Sequence, residues 1–425
     1  MALQDAVPPI STTEILVSPL GPVSRVTRTE SFRGLPELTQ YIASAGHPAG
    51  RVNSLTGAGQ CLGDPALARK IAIAEAAERY VGGEFFNTKP LRAAASELRG
   101  RVADLSVLPK CSDSEYSHPS CPMVPFDEGA VINWVTGLEL CSATDIWIPC
   151  AMASYGYRRS PAEHFWYPLS TGYAVHTDMR KAMFSALAEV IERDAAAVTW
   201  LQRLPLPRLP AEVLGANALR LAGWAREHFI DVHLFDATTD LELPAVYALL
   251  RARHDDEIRT NAACATGLTL AAAAAKALSE AIGFRHSLTG RATGGVGRDV
   301  SDLVAGSRTM ADPERASAFD FLLNSRTPTA TARGPFAVAE SSALTRILEI
   351  LRRAGFEAIA VDRTTSELAA AGLVAIVVVI PGLQPMSLNS FAQFRASERL
   401  YRAPRNMGYR VLPLAQLNEH PQPLG

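Results

Sequence analysis

Two segments of this chain, far apart in sequence, repeat one another and carry paired carboxylates at helical spacing. The first reads Ala74-Glu75-Ala76-Ala77-Glu78-Arg79-Tyr80, the second Ala188-Glu189-Val190-Ile191-Glu192-Arg193-Asp194. Both fit A-E-x-x-E-R, and both follow an Ala-rich apolar helix pattern. Positions i, i+3 and i+4 of a helix share one face, so each copy projects two carboxylates and a guanidinium from a single stripe. What precedes each copy is also alike. Ser54-Leu55-Thr56-Gly57-Ala58-Gly59 leads into the first helix, with Asp64-Pro65 as predicted N-cap and N1. Ser170-Thr171-Gly172 leads into the second, with Thr177 or Asp178 as predicted cap. A weaker third member has Ala265-Thr266-Gly267 ahead of a helix carrying Glu280 and, five positions on, Arg285.

One Glu/Arg stripe alone is usually a solvated helix face, with an ion pair worth about 0.3 kcal/mol. Two close copies and a partial third, each behind a predicted Ser/Thr-Gly loop, point instead to a shared ligand. Four or five carboxylates converging from different helices make an all-oxygen site suited to Mg2+. Arginines beside them would offset the charge of bound phosphates. Hydroxyls and amides of the Gly-bearing segments, including Ser170 and Thr171, would hold phosphate oxygens or a ribose. The implied ligand is a metal-bound nucleoside triphosphate. No GxxxxGK[ST] string is present, and Gly294-Gly295-Val296-Gly297 is a weak match to any phosphate loop. The expected nucleotide site therefore has no P-loop.

The rest of the chain sets the frame. Its 425 residues are 48% hydrophobic and 20% charged, enough for a large buried core. A formal net charge of -2 lacks the basic excess of a dedicated nucleic-acid binder. No secretory signal is visible at Met1 to Pro9, and the oiliest run, Leu373 to Ile380, is too short to cross a membrane. Its Val and Ile content, closed by Pro381-Gly382, predicts a buried central strand. Six scattered cysteines without a CxxC pair read as free thiols in a reducing cytoplasm; Cys111 and Cys121 are spaced too widely for a zinc knuckle. Strands are predicted at Val131–Trp134, Asp145–Ile148, Val232–Phe235, Ala245–Leu250 and Phe356–Val361, and a helix at Ala343–Arg353. Interleaved in this way, they predict an α+β class with mixed sheets and packed helices carrying the ExxER stripes. Residues 1–52 are rich in Pro, Ser, Thr and Gly, with a β-like run at Thr13–Val17, and read as an arm packed on the main domain.

The string from Ser170 to Ala195, STGYAVHTDMRKAMFSALAEVIERDA, strongly resembles the YcaO family. So do the first ExxER segment behind its Gly-bearing stretch and the third helix ending in Arg285, and the resemblance runs from about Asn53 to the C-terminus. It implies a YcaO-like ATP-binding catalytic domain over 53–425 and an enzyme acting on peptide backbone amides. It further implies that Glu75, Glu78, Glu189 and Glu192 gather Mg2+ around ATP, that Arg79, Arg193 and Arg285 lie near the phosphates, and that Ser170 and Glu280 belong to the nucleotide pocket. Two positions depart from the family: Ala58 where many members have lysine, and Gly283 where glutamine is common.

The segment Val378 to Pro385, with Arg399-Leu400-Tyr401 and Met407-Gly408-Tyr409, resembles the azoline-forming branch. The chain ends Pro421-Gln422-Pro423-Leu424-Gly425, similar to that branch's Pro-x-Pro-x-Pro tail, whose terminal carboxylate, here that of Gly425, is a candidate general base. The resemblance thus implies a cyclodehydratase D protein that turns Cys, Ser or Thr residues of a ribosomal precursor peptide into thiazolines or oxazolines. Expected partners are that peptide, an E1-like or ocin-ThiF-like leader-binding protein and, for oxidation to azoles, a flavin dehydrogenase, in a homodimer or hetero-oligomer. Thioamide or amidine formation and a non-catalytic scaffold are the rival readings; the Pro-rich tail speaks against the former, the intact ExxER motifs against the latter. Among nine histidines only His176 lies inside a motif, and a structural role is expected for it.

Overall fold

The computed structural model describes residues 13–46, 55–83, 85–288, 304–325, 327–331, 334–337 and 339–424. Each stripe is carried by a helix that follows closely on a strand: β3 (Thr56–Leu62) precedes α1 (Pro65–Val81), β7 (Tyr173–His176) precedes α2 (Met179–Leu201), and β10 (Thr260–Thr266) precedes α4 (Leu270–Leu288). The helix starts follow the sequence signals. Asp64 Oδ1 accepts the Leu67 amide at 2.9 Å with Pro65 at N1, and Asp178 Oδ1, rather than Thr177, accepts the Lys181 amide at 2.9 Å.

Three antiparallel sheets hold these units. The first is β1 (Val23–Arg28), β2 (Leu38–Ala45) and β3 in that order. The second runs β10, β9 (Ala245–Arg251), β8 (Asp231–Asp236). The largest runs β4 (Leu91–Ala93), β5 (Ile132–Glu139), β11 (Ile359–Asp362), β12 (Val374–Val379), β7, with β6 (Thr144–Pro149) on the side of β5. The expected buried strand is β12, paired on both sides. Successive strand residues face opposite sides, and here both faces are covered. Ala375, Val377 and Val379 join the core that includes α1, whereas Ile376 and Val378 join the core under α2 and α5 (Ala343–Arg353). In β9, Tyr247 and Leu249 pack with the end of α2 and with α6 (Glu398–Asn406), while Val246, Ala248 and Leu250 pack with α3 (Ala216–Glu227) and α4.

The three units close into a ring. Helix α1 packs on β3 and on β7, α2 on β7 and on β10, and α4 on β10 and back on β3. The ring corrects two sequence expectations. Thr13–Val17, read from sequence as β-like, forms a 3-10 turn at Glu14–Leu16 whose Glu14 pairs with Arg69 of α1 at 2.7 Å, and the residues described after it supply β1 and β2, the strands that give β3 its sheet. The first Gly-bearing segment, within its described residues, is strand: a Cβ on Gly59 would stand 2.2 Å from Ala68 O and Ala72 N, and one on Gly57 2.5 Å from Ala76 N. Those glycines let α1 lie directly on β3. Ser54 and the Gly294–Gly297 run lie outside the described residues. All six cysteines are free, and among the described residues no helix is long and apolar enough to cross a membrane.

Candidate functional site

Inside the ring lies a cleft of about 890 Å3, lined from α1 by Glu75, Glu78 and Arg79, from α2 by Glu189, Glu192 and Arg193, and from α4 by Lys276 and Glu280. All five stripe carboxylates and the two stripe arginines predicted to meet do meet here. The packing of the ring explains how they are held. Glu75 accepts the Ala58 amide of its own strand β3 at 3.2 Å, while Glu78, one turn on, accepts the Val175 amide of β7 at 3.2 Å. The second unit repeats this: Glu189 accepts the Gly172 amide just before β7 at 3.0 Å, and Glu192 accepts the Thr266 amide of β10 at 2.8 Å. The first Glu of each motif thus grips its own unit and the second grips the next. Gly172 is required there: its φ is +86°, and a Cβ would meet Val378 O at 2.2 Å.

Electrostatically the cleft is divided. Burial pushes the Glu75 carboxyl up, with Glu189 adding to it against the pull of Arg79 and the Ala58 amide. Burial, and then Glu75 and Glu189, push Glu78 well above the usual carboxylate range. Burial opposes the ionisation of Glu192 too, but Lys276, Arg193 and the Thr266 amide outweigh it and hold Glu192 low. Glu280 is raised to about 7 by burial and by Glu192, despite Lys276. Arg193 Nη2 lies 3.7 Å from Glu189 Oε1, whereas the Nε of Arg79 is buried without a hydrogen-bond partner.

The donor set fits Mg2+ and phosphate. It is all oxygen, its carboxylates repel one another, and a buried guanidinium nitrogen stands unpaired beside them. Among the described residues no three Asp, Glu, His or Cys side chains are grouped tightly enough to hold one ion by themselves. Mg2+ does not need such a cage, since it is commonly bound by one or two carboxylates together with water and substrate phosphates.

Other predicted residues lie elsewhere. Arg285 is absent from the cleft lining: its guanidinium is committed to Asp255 and, at 3.3 Å, to Asn261. Five positions beyond Glu280, it is turned about 140° around the helix from the stripe. Ser170 and Thr171 sit before β7 outside the lining, two residues and one residue from the Gly172 amide that holds Glu189. Gly425 lies outside the described residues; Leu424, buried beside it in sequence, lines the cleft. His176 also lines the cleft, and its Nδ1 accepts the Asp178 amide at 3.0 Å at the start of α2, a structural task.

Three features escaped sequence reasoning. Lys276 is one. The space beside Gly283 is another: β3 and β2 fill it with Gln60 and Gln40, whose side-chain ends stand 2.2 and 3.0 Å from where a Cβ would be. The third is a buried ion cluster directly behind the second motif. Arg399 of α6, fully buried, is paired with Asp194 Oδ2 and with Asp240 Oδ1, each at 2.7 Å, and Asp194 also accepts the Gln384 amide at 2.9 Å. The segment Pro381–Pro385 is thereby fastened to the residue after Arg193.

Comparison with known proteins gives the same picture. Residues 61–384 match a family model described as YcaO cyclodehydratase, ATP- and Mg2+-binding. No curated protein matches the chain. Among solved structures, a heterocyclase in complex with substrate and cofactor superposes with a TM-score of 0.82 at 22% identity, over 97% of this chain and 57% of that one. YcaO from Methanopyrus kandleri bound with AMPPCP and Mg2+ gives 0.59 at 16% identity, over 85% of this chain and 86% of that one. The E. coli microcin synthetase McbBCD complex with pro-MccB17 bound gives 0.67 at 13% identity, over 94% and 96%. This chain spans little more than half the length of the first of these.

Proposed function

Because this chain belongs to the YcaO family, whose family model is described as binding ATP and Mg2+, we propose that it is an ATP-dependent cyclodehydratase forming thiazolines or oxazolines in a ribosomal peptide. The observation that carries this reading is the convergence of Glu75, Glu78, Glu189, Glu192 and Glu280 with Arg79 and Arg193 on one cleft. In the reaction, a Cys, Ser or Thr side chain of the peptide attacks the preceding amide carbonyl. Bound ATP would provide the γ-phosphoryl group that makes the resulting oxygen a good leaving group; the attack itself closes the ring, and loss of phosphate with the amide proton forms the C=N bond of the azoline.

The chain's residues have definable tasks. Glu75, Glu78, Glu189 and Glu192 would hold Mg2+ through carboxylate oxygens not used on backbone amides. Arg79, with its unpaired Nε, and Arg193 would neutralise charge on the transferring phosphoryl. Ser170 and Thr171 set the strand start that orients Glu189, and direct nucleotide contact by either requires the loop to turn inward. Arg285 acts through Asp255 and Asn261 in support of α4. Leu424 of the Pro-rich tail is buried and lines the cleft, which supports a part for that tail at the site. The peptide substrate, a leader-binding partner protein and a flavin dehydrogenase complete the proposal, in a cytoplasmic assembly.

Calorimetric titration of the full chain with ATP, with and without Mg2+, beside Glu189→Ala, tests the site. Mg2+-dependent binding that the substitution abolishes is the expected result. Binding that survives in Glu189→Ala would move the nucleotide elsewhere.

A further inference from the structure

The third helix brings into the cleft a charge that the motif pattern does not contain. Lys276 lies one turn before Glu280 on α4, and its Nζ stands 3.0 Å from Glu192 Oε2 and 3.8 Å from Glu280 Oε1. Glu192 Oε2 also accepts the Thr266 amide at 2.8 Å and the Thr266 hydroxyl at 3.2 Å. That oxygen therefore has three donors and is saturated. The carboxylates across the cleft differ: Glu75 and Glu78 each accept one backbone amide, and among the described residues neither has an ion pair of this kind. Lys70 also lines the cleft, but from its exposed rim. Lys276 is the lysine seated between two of the stripes.

We propose that Lys276 is a built-in cation of the nucleotide site: between Glu192 Oε2 and Glu280 it stands where a further divalent ion could sit, leaving Glu192 Oε1 to the Mg2+ of the site, and it offers its free N–H donors to a phosphate oxygen. This rests on the nucleotide-binding reading of the cleft. An ammonium has three donors, and its side chain here is 49% exposed toward the cleft, leaving room for an acceptor besides Glu192. Its compact charge suits phosphate as a point partner, and its four-carbon stem lets it follow the ligand without moving the helix. Removing it would leave Glu192 and Glu280 as two close carboxylates with only Arg193 nearby, an arrangement that itself attracts a metal ion.

The test compares the full-length wild type with Lys276→Gln and Lys276→Arg, using AMPPCP as the probe. Mn2+ bound per chain is counted by electron paramagnetic resonance, and AMPPCP affinity is measured by calorimetry from trace to millimolar Mg2+. Lys276→Gln is expected to bind one more Mn2+ than wild type. Its AMPPCP affinity at trace Mg2+ should drop at least about tenfold, a gap that narrows as Mg2+ rises. Lys276→Arg, which keeps the charge and also covers the case of a poorly folding Lys276→Gln, is expected to retain the wild-type Mn2+ count. An unchanged Mn2+ count in Lys276→Gln, an affinity loss independent of Mg2+, or an extra Mn2+ in Lys276→Arg would overturn the inference alone. A wild type that binds no AMPPCP at any Mg2+ concentration would overturn the nucleotide reading and the lysine's role with it.

Discussion

Arg193 and Asp194 are neighbours on α2, yet they belong to two clusters of opposite character. Arg193 faces the cleft, where five carboxylates stand among Lys70, Arg79, Arg193 and Lys276 and burial drives several of the carboxyls upward. Asp194 faces the interior, where Arg399 is gripped in bidentate fashion by Asp194 and again by Asp240, all three turned away from solvent to the extent that Arg399 and Asp194 are 0% exposed. Both clusters use the same residue types. In the interior one the guanidinium is gripped by two carboxylates and closed off from solvent, which is the character of a structural fastening. In the cleft, carboxyls that burial drives upward and an unpaired guanidinium nitrogen line an open space, which is the character of a binding site.

That contrast is breakable by substitution. The largest effect is expected at the fastening: Arg399→Ala strands two buried carboxylates and should cost about 3–5 kcal/mol in denaturant unfolding, with Pro381–Pro385 loosened as well. A loss of under about 1 kcal/mol would mean that water reaches the cluster and that the two regions are alike. Next comes Gly59→Ala, which thrusts a methyl into the backbone of α1 and should destabilise by about 1–3 kcal/mol while displacing Glu75; retained stability together with full nucleotide affinity would show that α1 tolerates a shift on β3.

In the cleft the sign reverses. Glu78→Gln relieves repulsion from Glu75 and Glu189 and should raise the stability of the ligand-free chain by about 1 kcal/mol while weakening Mg2+-dependent nucleotide binding. A destabilised Glu78→Gln would place the weight of this residue on its bond to the Val175 amide instead. The smallest effect concerns pH. Glu280 has a folded pKa of about 7 against 4.5 for the free side chain, so the folded chain holds that proton more tightly than the unfolded chain. Its contribution is fully present below pH 4.5 and is lost as pH rises through 7. The melting temperature of the ligand-free protein should fall by a few degrees over that window, and by less in Glu280→Gln; equal slopes in the two proteins would show that Glu280 is already ionised at neutral pH.

The sequence carried the cleft more clearly than the sheets around it. Carboxylates at i and i+3 on two helices are legible because helical periodicity fixes their direction, and Asp64-Pro65 marks a helix start by its own chemistry. Arg285 misled for the converse reason, since a spacing of five leaves the stripe. Lys276 follows the run Ala271–Ala275, whose high helix propensity says nothing of a site; its one signal is the four-residue step to Glu280. The strands β1 and β2 were obscured by Pro, Ser, Thr and Gly, and β3 by glycines that read as loop. Those glycines answer to a helix pressed against the strand, a tertiary demand that local pattern does not reveal. The Arg399–Asp194 pairing joins residues about two hundred positions apart, and no local rule connects them.

The closed ring of strand and helix units also places four backbone amides, those of Ala58, Gly172, Val175 and Thr266, directly on the cleft carboxylates. Ala58 belongs to the first unit, Gly172 and Val175 to the second and Thr266 to the third, yet all four hold carboxylates of the same cleft. Deuterium uptake at these positions should therefore slow in concert when the cleft is filled, by an amount set by occupancy and affinity, making the amides built-in clocks that read saturation of the centre from three separate stretches of chain.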